Sequence, residues 1–144
     1  MKKHVLLFAL LFPAVLMQAQ LQQIIHQSFA LDEMNEINLD LYGEYEIEMW
    51  PGSEILTETK IKLTNAKNSI LKYLIENKRY AVKLDTIDER IVTLLSSDQE
   101  RRAIKTSKGT CVEEISIRIF MPDFFEKKTE KNWVRSKPLV TKED

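Results

Sequence analysis

Four acidic residues first suggest chemistry, because they recur at even-numbered positions of one alternating stretch. These are Asp40, Glu44, Glu46 and Glu48. Carboxylate oxygens of this kind bind calcium in many exported proteins. Same-face neighbours on a strand lie about 7 Å apart, however, so at most two of these groups could share an ion. The pattern therefore predicts a solvated, edge-protecting strand face, and neither a metal site nor any other cofactor is expected.

Nucleophilic catalysis would have to use His26, because His4 lies in an N-terminal segment that we expect to be removed. A Ser-His-Asp or Cys-His arrangement needs a histidine held beside its nucleophile. The segment Gln20 to Gln27 is polar and is expected to be frayed. With only three glycines, the chain has no glycine-rich phosphate loop either. We predict that the protein is not an enzyme. A small secreted hydrolase that uses His26 is the second of two alternative functions, and the first, binding by aromatic residues, is described below.

Three aromatic residues, Tyr42, Trp50 and Trp133, are the candidate binding residues. Tyr42 and Trp50 have the even, solvent-side numbering of the first strands, and exposed rings of this kind stack on the apolar faces of sugars. For both residues, packing against a loop or the tail is the favoured interpretation, and binding is the functional one. Trp133 either docks back onto the domain or contacts a partner.

The single cysteine, Cys111, cannot form an internal disulfide and is expected to be a buried thiol, with an intermolecular bridge as the alternative.

Residues 1–19 have the pattern of a secretory signal peptide. Lys2 and Lys3 precede an apolar run, Val5 to Met17, and Ala19 offers a small residue for cleavage before Gln20. This segment is too short to span a bilayer stably, although an uncleaved anchor is the alternative. The sequence thus predicts an exported protein, located in the periplasm, at the cell surface or outside the cell.

The charge balance of the remaining chain is mild. Removal of residues 1–19 takes away two of 21 basic residues and none of 22 acidic residues, which leaves 19 against 22 and a net charge of about −3. Nucleic-acid binding requires a concentrated basic face, so we exclude nucleic acid as a partner. An anionic membrane surface is disfavoured for the same reason.

The regular alternation from Glu36 to Leu63 predicts extended chain with one buried face. Pro51 and Gly52 interrupt it as a strong turn signal. Apolar residues keep odd numbers on both sides of the turn. This parity fits a hairpin with the odd loop Pro51-Gly52-Ser53, in which Trp50 pairs with Glu54, or a corner of a solenoid whose flanking strands do not pair.

The segment from Asn65 to Leu84 has two interpretations. Ile70, Leu71, Leu74 and Ile75 would form a short helical stripe. A two-residue loop at Asn77-Lys78 would instead pair Tyr73 with Val82 and Leu71 with Leu84. Because the apolar parity changes across this loop, as a two-residue loop requires, we favour a hairpin over 71–84 after a helical turn at 65–69.

The rest of the chain predicts two further strands and a tail. Residues 91–95 and 113–121 have strand patterns, and the second places Ile115, Ile117, Ile119 and Met121 inward. A long, mobile loop is expected over 96–110. The predicted organisation is a signal peptide (1–19), one all-β domain of about six to eight strands (20–123) and a charged, flexible tail (124–144), with a short right-handed solenoid or a meander or sandwich as the architecture.

These residues resemble the head GIN domain, also described as a putative auto-transporter adhesin head domain. The matching features are Phe29, the strand opening Asn35-Glu36-Ile37, the segment Gly43 to Glu48, a turn with Gly52, Thr57 and Thr59, the segment Asn68 to Tyr73, Tyr80-Ala81-Val82, and Met121-Pro122-Asp123. The resemblance covers roughly residues 29–123. It implies an exported, right-handed β-solenoid or related all-β fold without catalytic residues. The open end of a short solenoid would leave strand edges that favour self-association.

We therefore expect a non-catalytic structural or interaction module of the cell envelope, similar to an adhesin head. Its partner would be a surface or envelope protein or a glycan. A glycan- or ligand-binding β-domain that uses the exposed aromatic residues is the alternative.

The signal-peptide interpretation predicts the mass of the exported protein. We expect a chain that begins at Gln20, because a small residue at Ala19 permits cleavage there. Intact mass spectrometry of protein recovered after export measures this directly. Retention of residues 1–19 would contradict cleavage.

Overall fold

The computed structural model describes residues 20–138, so the predicted signal peptide and the last six residues lie outside the described part of the chain. Within it, eleven strands and one short helix form. In chain order they are β1 (Leu21–Ala30), β2 (Glu36–Asp40), β3 (Glu44–Trp50), β4 (Glu54–Thr64), α1 (Asn68–Glu76), β5 (Val82–Asp88), β6 (Ile91–Ser96), β7 (Lys105–Thr106), β8 (Gly109–Thr110), β9 (Val112–Pro122), β10 (Phe125–Thr129) and β11 (Asn132–Arg135).

The strands form two mixed sheets and a two-stranded ribbon. The first sheet has the order β1-β4-β9-β3, the second has the order β10-β11-β2-β6-β5, and β7 pairs with β8. The β3–β9 and β2–β6 pairs are parallel, and the other pairs are antiparallel. The prediction of a mostly-β fold is confirmed. No solenoid is indicated, and the described residues contain more strands than the predicted six to eight.

The two sheets share one hydrophobic core, because each strand turns its apolar alternate residues toward the other sheet. Its members are Leu31, Ile37, Leu39, Ile55, Val82, Val92, Leu94, Ile117, Ile119, Met121, Phe125 and Trp133. A second cluster lies beneath α1 and contains Ile61, Leu63, Leu71, Leu74, Tyr80 and Cys111. The inward positions predicted for β2, β4 and β9 are thus confirmed, and Cys111 is buried as a free thiol, as expected.

The hairpin interpretation of the Pro51-Gly52 turn is wrong, and the alternative is right that the flanking strands do not pair, although no solenoid is indicated. The strands β3 and β4 on either side of the turn do not pair with each other. Each pairs instead with β9, β3 in parallel and β4 antiparallel, so that β9 lies between them. Apolar residues with odd numbers on both sides of the turn fit this arrangement as well as they fit the two predicted ones. The reason is that β3 and β4 belong to one sheet and bury the same face.

The four acids do not share a strand. Asp40 ends β2 in the second sheet, whereas Glu44, Glu46 and Glu48 lie on β3 in the first sheet. The chain crosses between the sheets over residues 41–43. Gly43 enables the crossing with a φ of +94°, a conformation that side chains disfavour. Apolar residues keep odd numbers through the crossing, and this continuity concealed the change of sheet in the sequence.

The hairpin predicted over 71–84 is also wrong, because residues 68–76 form α1. The helical stripe wins through burial: Leu71 and Leu74 pack into the second cluster, whereas Tyr73, which the hairpin would have faced inward, is largely exposed. The helix ends at Asn77, whose side-chain amide donates to the carbonyl oxygen of Tyr73 at 2.8 Å. Lys78 then adopts a φ of +58° and reverses the chain. At nine residues, α1 cannot cross a membrane, and the described part of the chain contains no other helix.

Both ends of the domain are more ordered than the sequence predicted. The segment expected to be frayed forms β1, which pairs with β4 at ten successive positions. The flexible-tail prediction is wrong for residues 125–135, where β10 and β11 join the second sheet through the pairing of β11 with β2. The reason is Trp133, which is only 7% exposed and fills the core between the sheets.

The buried position of Trp133 predicts a large loss of stability on truncation. We expect Trp133→Ala to lower the free energy of unfolding by about 3–5 kcal/mol, because it removes a large side chain from the core. Urea denaturation measures the change. The control is Tyr73→Ala, at an aromatic residue that is 63% exposed, for which we expect a change within about 0.5 kcal/mol. Equal effects of the two substitutions would contradict the docking of the β10–β11 segment.

Candidate functional site

The three predicted binding residues are not brought together. Tyr42 precedes β3 and is 46% exposed, whereas Trp50 ends that strand. The two ends of the seven-residue strand β3 are six residue steps apart, which corresponds to roughly 20 Å. Trp133 lies in the core, on the other sheet. The rings therefore do not form a shared platform.

Trp50 packs against its own turn. Its indole N–H donates to the carbonyl oxygen of Glu54 at 3.0 Å, and its ring covers Gly52 so closely that any side chain at Gly52 would overlap it. This is the alternative that the sequence left open for Trp50. The glycine is required here by the ring above it.

The outer face of the first sheet is a ladder of ion pairs. Neighbouring strands place opposite charges side by side, and these pairs lie mostly in solvent. They are Arg118 with Glu46 at 3.0 Å and Lys62 with Glu114 at 3.5 Å. On the same face, the His26 imidazole lies 3.6 Å from the Glu58 carboxylate. Among the described residues, no group of three histidine, cysteine or acidic side chains is placed to hold a metal ion.

A shallow hollow on this face brings a histidine, an acid and a hydroxyl near one another. His26, Ser28 and Glu58 line it. His26 and Ser28 are same-face neighbours on β1, about 7 Å apart along the strand, and no hydrogen bond joins them. A catalytic pair requires a hydroxyl within about 3 Å of the imidazole. The hollow therefore contains the residue types of a hydrolase without the required contact.

A network of buried charges that the sequence reasoning missed lies at the start of β9. The Arg79 guanidinium donates to both carboxylate oxygens of Glu113, at 2.9 and 2.8 Å. It also donates to a carboxylate oxygen of Asp98 at 3.2 Å and to the carbonyl oxygen of Arg102 at 2.8 Å. The Tyr80 hydroxyl donates to Glu113 at 2.7 Å. We call these groups the Arg79–Glu113 network.

The geometry of the network shifts the pKa values of Glu113 and Tyr80. Burial raises the pKa of Glu113, but the hydrogen bonds from Arg79 and Tyr80 outweigh it, so the net pKa lies below its ordinary value. Burial and the hydrogen bond to Glu113 raise the pKa of Tyr80 far above its ordinary value. Both oxygens of the Glu113 carboxylate accept hydrogen bonds within the network. The network holds the end of α1, the 97–111 segment and β9 together.

One signal in the sequence could have revealed this network. Glu113 has the same odd numbering as the inward residues of β9, so its carboxylate points toward the interior. A buried charge requires a partner, and a single acid in an apolar series therefore predicts a nearby arginine or lysine. A two-residue loop at Asn77-Lys78 would also place Glu76 opposite Arg79 on the outward face, so the predicted hairpin gives Arg79 a different acidic partner.

Tyr42 is connected to the network through Arg101. The Arg101 guanidinium lies over the Tyr42 ring at 4.8 Å and over the Tyr80 ring at 5.2 Å, measured to the ring centres. Burial lowers the pKa of Arg101, and the charge of Arg79 lowers it further. Tyr42 therefore acts as one wall of a cation–π stack at the surface of the domain.

The β1 strand differs from the other edges of the two sheets. It has ten residues, no charged group other than a histidine, no proline and no break in its register with β4. The β5 and β10 edges each contain a register shift, and all three other edges carry charges, which hinder pairing with another chain. The charged residues are Glu44, Glu46 and Glu48 on β3, Lys83, Asp85 and Asp88 on β5, and Glu126, Lys127 and Lys128 on β10.

The free side of β1 has open backbone groups. In the described part of the chain, β4 is the only strand that pairs with β1, and no further backbone-to-backbone hydrogen bond involves residues 21–30. The Gln23 side-chain amide donates to the carbonyl oxygen of Ile24 at 3.5 Å. A strand exposes alternate N–H and C=O groups on each side. We call the row that faces away from β4 the β1 edge.

Comparison of the chain with known protein families, with curated proteins and with solved structures gives no match.

The Arg79–Glu113 network predicts a pH-dependent contribution to stability. We expect Glu113→Gln to lower the free energy of unfolding by about 3 kcal/mol at pH 7, because it leaves Arg79 without its main buried partner. The folded-state pKa of Glu113 is lowered, so this stabilisation is present above the unfolded carboxyl pKa of about 4.3 and is lost as the pH falls through the folded value.

Denaturation of wild type and variant between pH 3 and pH 7 measures this dependence. The difference between them should shrink below about pH 4. Glu114→Gln is the matched control, because the neighbouring carboxylate points outward and is largely exposed; we expect a change within about 0.5 kcal/mol. A pH-independent difference for Glu113→Gln would contradict the role of its charge.

Proposed function

We propose that the protein is an exported, non-catalytic interaction module that binds polypeptide by adding a strand to the β1 edge. The observation that supports this most directly is that β1 is uncharged apart from His26, has a regular register and has no strand on its free side in the described residues. Strand addition uses backbone hydrogen bonds for affinity and alternate side chains for specificity. The other three edges carry the charges that natural sheets use against such pairing.

The export part of the proposal is supported by the signal-peptide pattern of residues 1–19 and by the resemblance of residues 29–123 to the head GIN domain. Both belong to the sequence. An adhesin-like role in the cell envelope is consistent with a domain in which one strand edge is suited to pairing and charged residues on the other three edges hinder it.

The outer face beside β1 also favours a partner in extended conformation. Ile24 is 41% exposed and lies on that face, next to the side chains of His26 and Glu58. An added strand would cover this isoleucine and continue the ladder of cross-strand pairs. A glycan-binding function has less support, because Tyr42 and Trp50 lie at opposite ends of β3 and Trp50 packs on Gly52.

Site-specific photo-cross-linking tests the proposal. We expect a benzophenone side chain at position 24 to form a covalent adduct with another polypeptide in cells that express and export the full chain. The matched control is position 87 on β5, where Ile87 is 67% exposed on an edge that is charged and irregular.

The adduct should disappear when Ser28→Pro is added, because proline removes a backbone donor and disturbs pairing along β1. Circular dichroism checks that this variant remains folded. The proposal is contradicted if position 24 gives no adduct, or if positions 24 and 87 give the same adducts.

A further inference from the structure

We infer that the strand that binds the β1 edge is β1 of a second copy of this chain, running antiparallel about a two-fold axis. This inference rests on the proposed function, since it names the partner of the same edge. The resulting dimer would join two four-stranded sheets into one eight-stranded sheet, with the two β1 strands at its centre.

The composition of β1 makes it complementary to itself. A two-fold axis places each residue near its own copy, so a strand rich in one charge would repel itself. The β3 edge shows this incompatibility, because its three glutamates would face glutamates. In contrast, β1 contains glutamines, isoleucines and small residues, with His26 as the one ionisable side chain.

The alternation of faces restricts the register. A continuous sheet needs inward residues opposite inward residues, so the numbers of two opposed residues must add up to an even value. Among registers that keep nearly the full length of β1 paired, the axis therefore passes either through residue 25 or through residue 26. An axis at residue 26 would place Ile25 opposite Gln27 and His26 opposite its own copy.

An axis at residue 25 gives the better pairs. On the inner face it places Leu21 opposite Phe29 of the second copy and Ile25 opposite its own copy, which extends the apolar cores of both domains across the axis. On the outer face it places Ile24 opposite His26 of the second copy. We therefore assign the axis to residue 25.

The Gln27 side chain remains compatible with this dimer. Its amide donates to the carbonyl oxygen of Val82 at 2.9 Å, and its carbonyl oxygen accepts from the Val82 N–H at 2.8 Å. This pair of bonds joins β1 to the first residue of β5 in the other sheet. It uses the side chain and leaves the backbone of the β1 edge free for the second copy.

Disulfide trapping tests the register at two outward positions of β1. In a Cys111→Ala background, an axis at residue 25 places Ile24→Cys directly opposite His26→Cys of another chain, within the Cα separation that a disulfide requires. Each variant alone places its two cysteines about 8 Å apart, which is too far. We therefore expect rapid cross-linking on mild oxidation only when the two variants are mixed.

Other results would overturn the assignment. Rapid cross-linking of His26→Cys alone would place the axis at residue 26, and rapid cross-linking of Ile24→Cys alone would place it at residue 24. Absence of cross-linking in every combination would overturn the second copy as partner. If the adduct from position 24 then proves to be a different polypeptide, the proposed function stands without the dimer. If no adduct forms at all, both fail.

Sedimentation equilibrium of the full chain, purified after export, measures the association itself. We expect Ile24→Lys to raise the dissociation constant of the dimer about tenfold, because the two-fold axis repeats each lost cross-strand contact. Ile87→Lys makes the same chemical change on β5 and should leave the constant unchanged. A monomeric wild-type chain, or equal effects of the two lysines, would contradict the inference.

Discussion

The structure depends on β9, the one strand of the first sheet that has a parallel neighbour on one side and an antiparallel neighbour on the other. It pairs in parallel with β3 and antiparallel with β4, and its inward side chains Ile117, Ile119 and Met121 lie in the core that both sheets share. Its first residues carry Glu113, whose contacts with Arg79 and Tyr80 fasten the end of the helix. Backbone pairing, apolar burial and the buried charge network therefore meet on a single strand.

The sequence was sufficient for properties that depend on neighbouring residues. Alternation identified the buried faces of β2, β4 and β9 correctly, because period two follows from strand geometry. It did not identify which strands pair. Leu41 and Tyr45 keep the same parity although the chain changes sheets between them, and parity is equally constant across the turn at Pro51. Pairing depends on residues distant in sequence, such as β9, and no local pattern encodes this.

The errors at α1 and at the C-terminal strands have a related cause. Leu71 faces inward in either a helix or a hairpin, whereas Leu74 does so only in the helix, where both pack against the apolar surface of Ile61 and Leu63. The charged composition after residue 123 concealed Trp133, whose burial outweighs the polarity of its neighbours. Among the site residues, the aromatic pattern located Tyr42 at the surface. To predict the Arg79–Glu113 network as a specific pair would have required knowing that two residues 34 positions apart are in contact.

The arrangement of β9 also determines when the protein can fold during its synthesis. The strands β1, β3 and β4 are complete by residue 64, but the strand that unites β3 with β4 ends only at residue 122. The second sheet similarly awaits β11, at residues 132–135, before β2 is paired on both sides. Such distant pairings delay folding until nearly the whole chain is available. If the chain is exported as proposed above, late folding would leave it unfolded while it passes through a membrane.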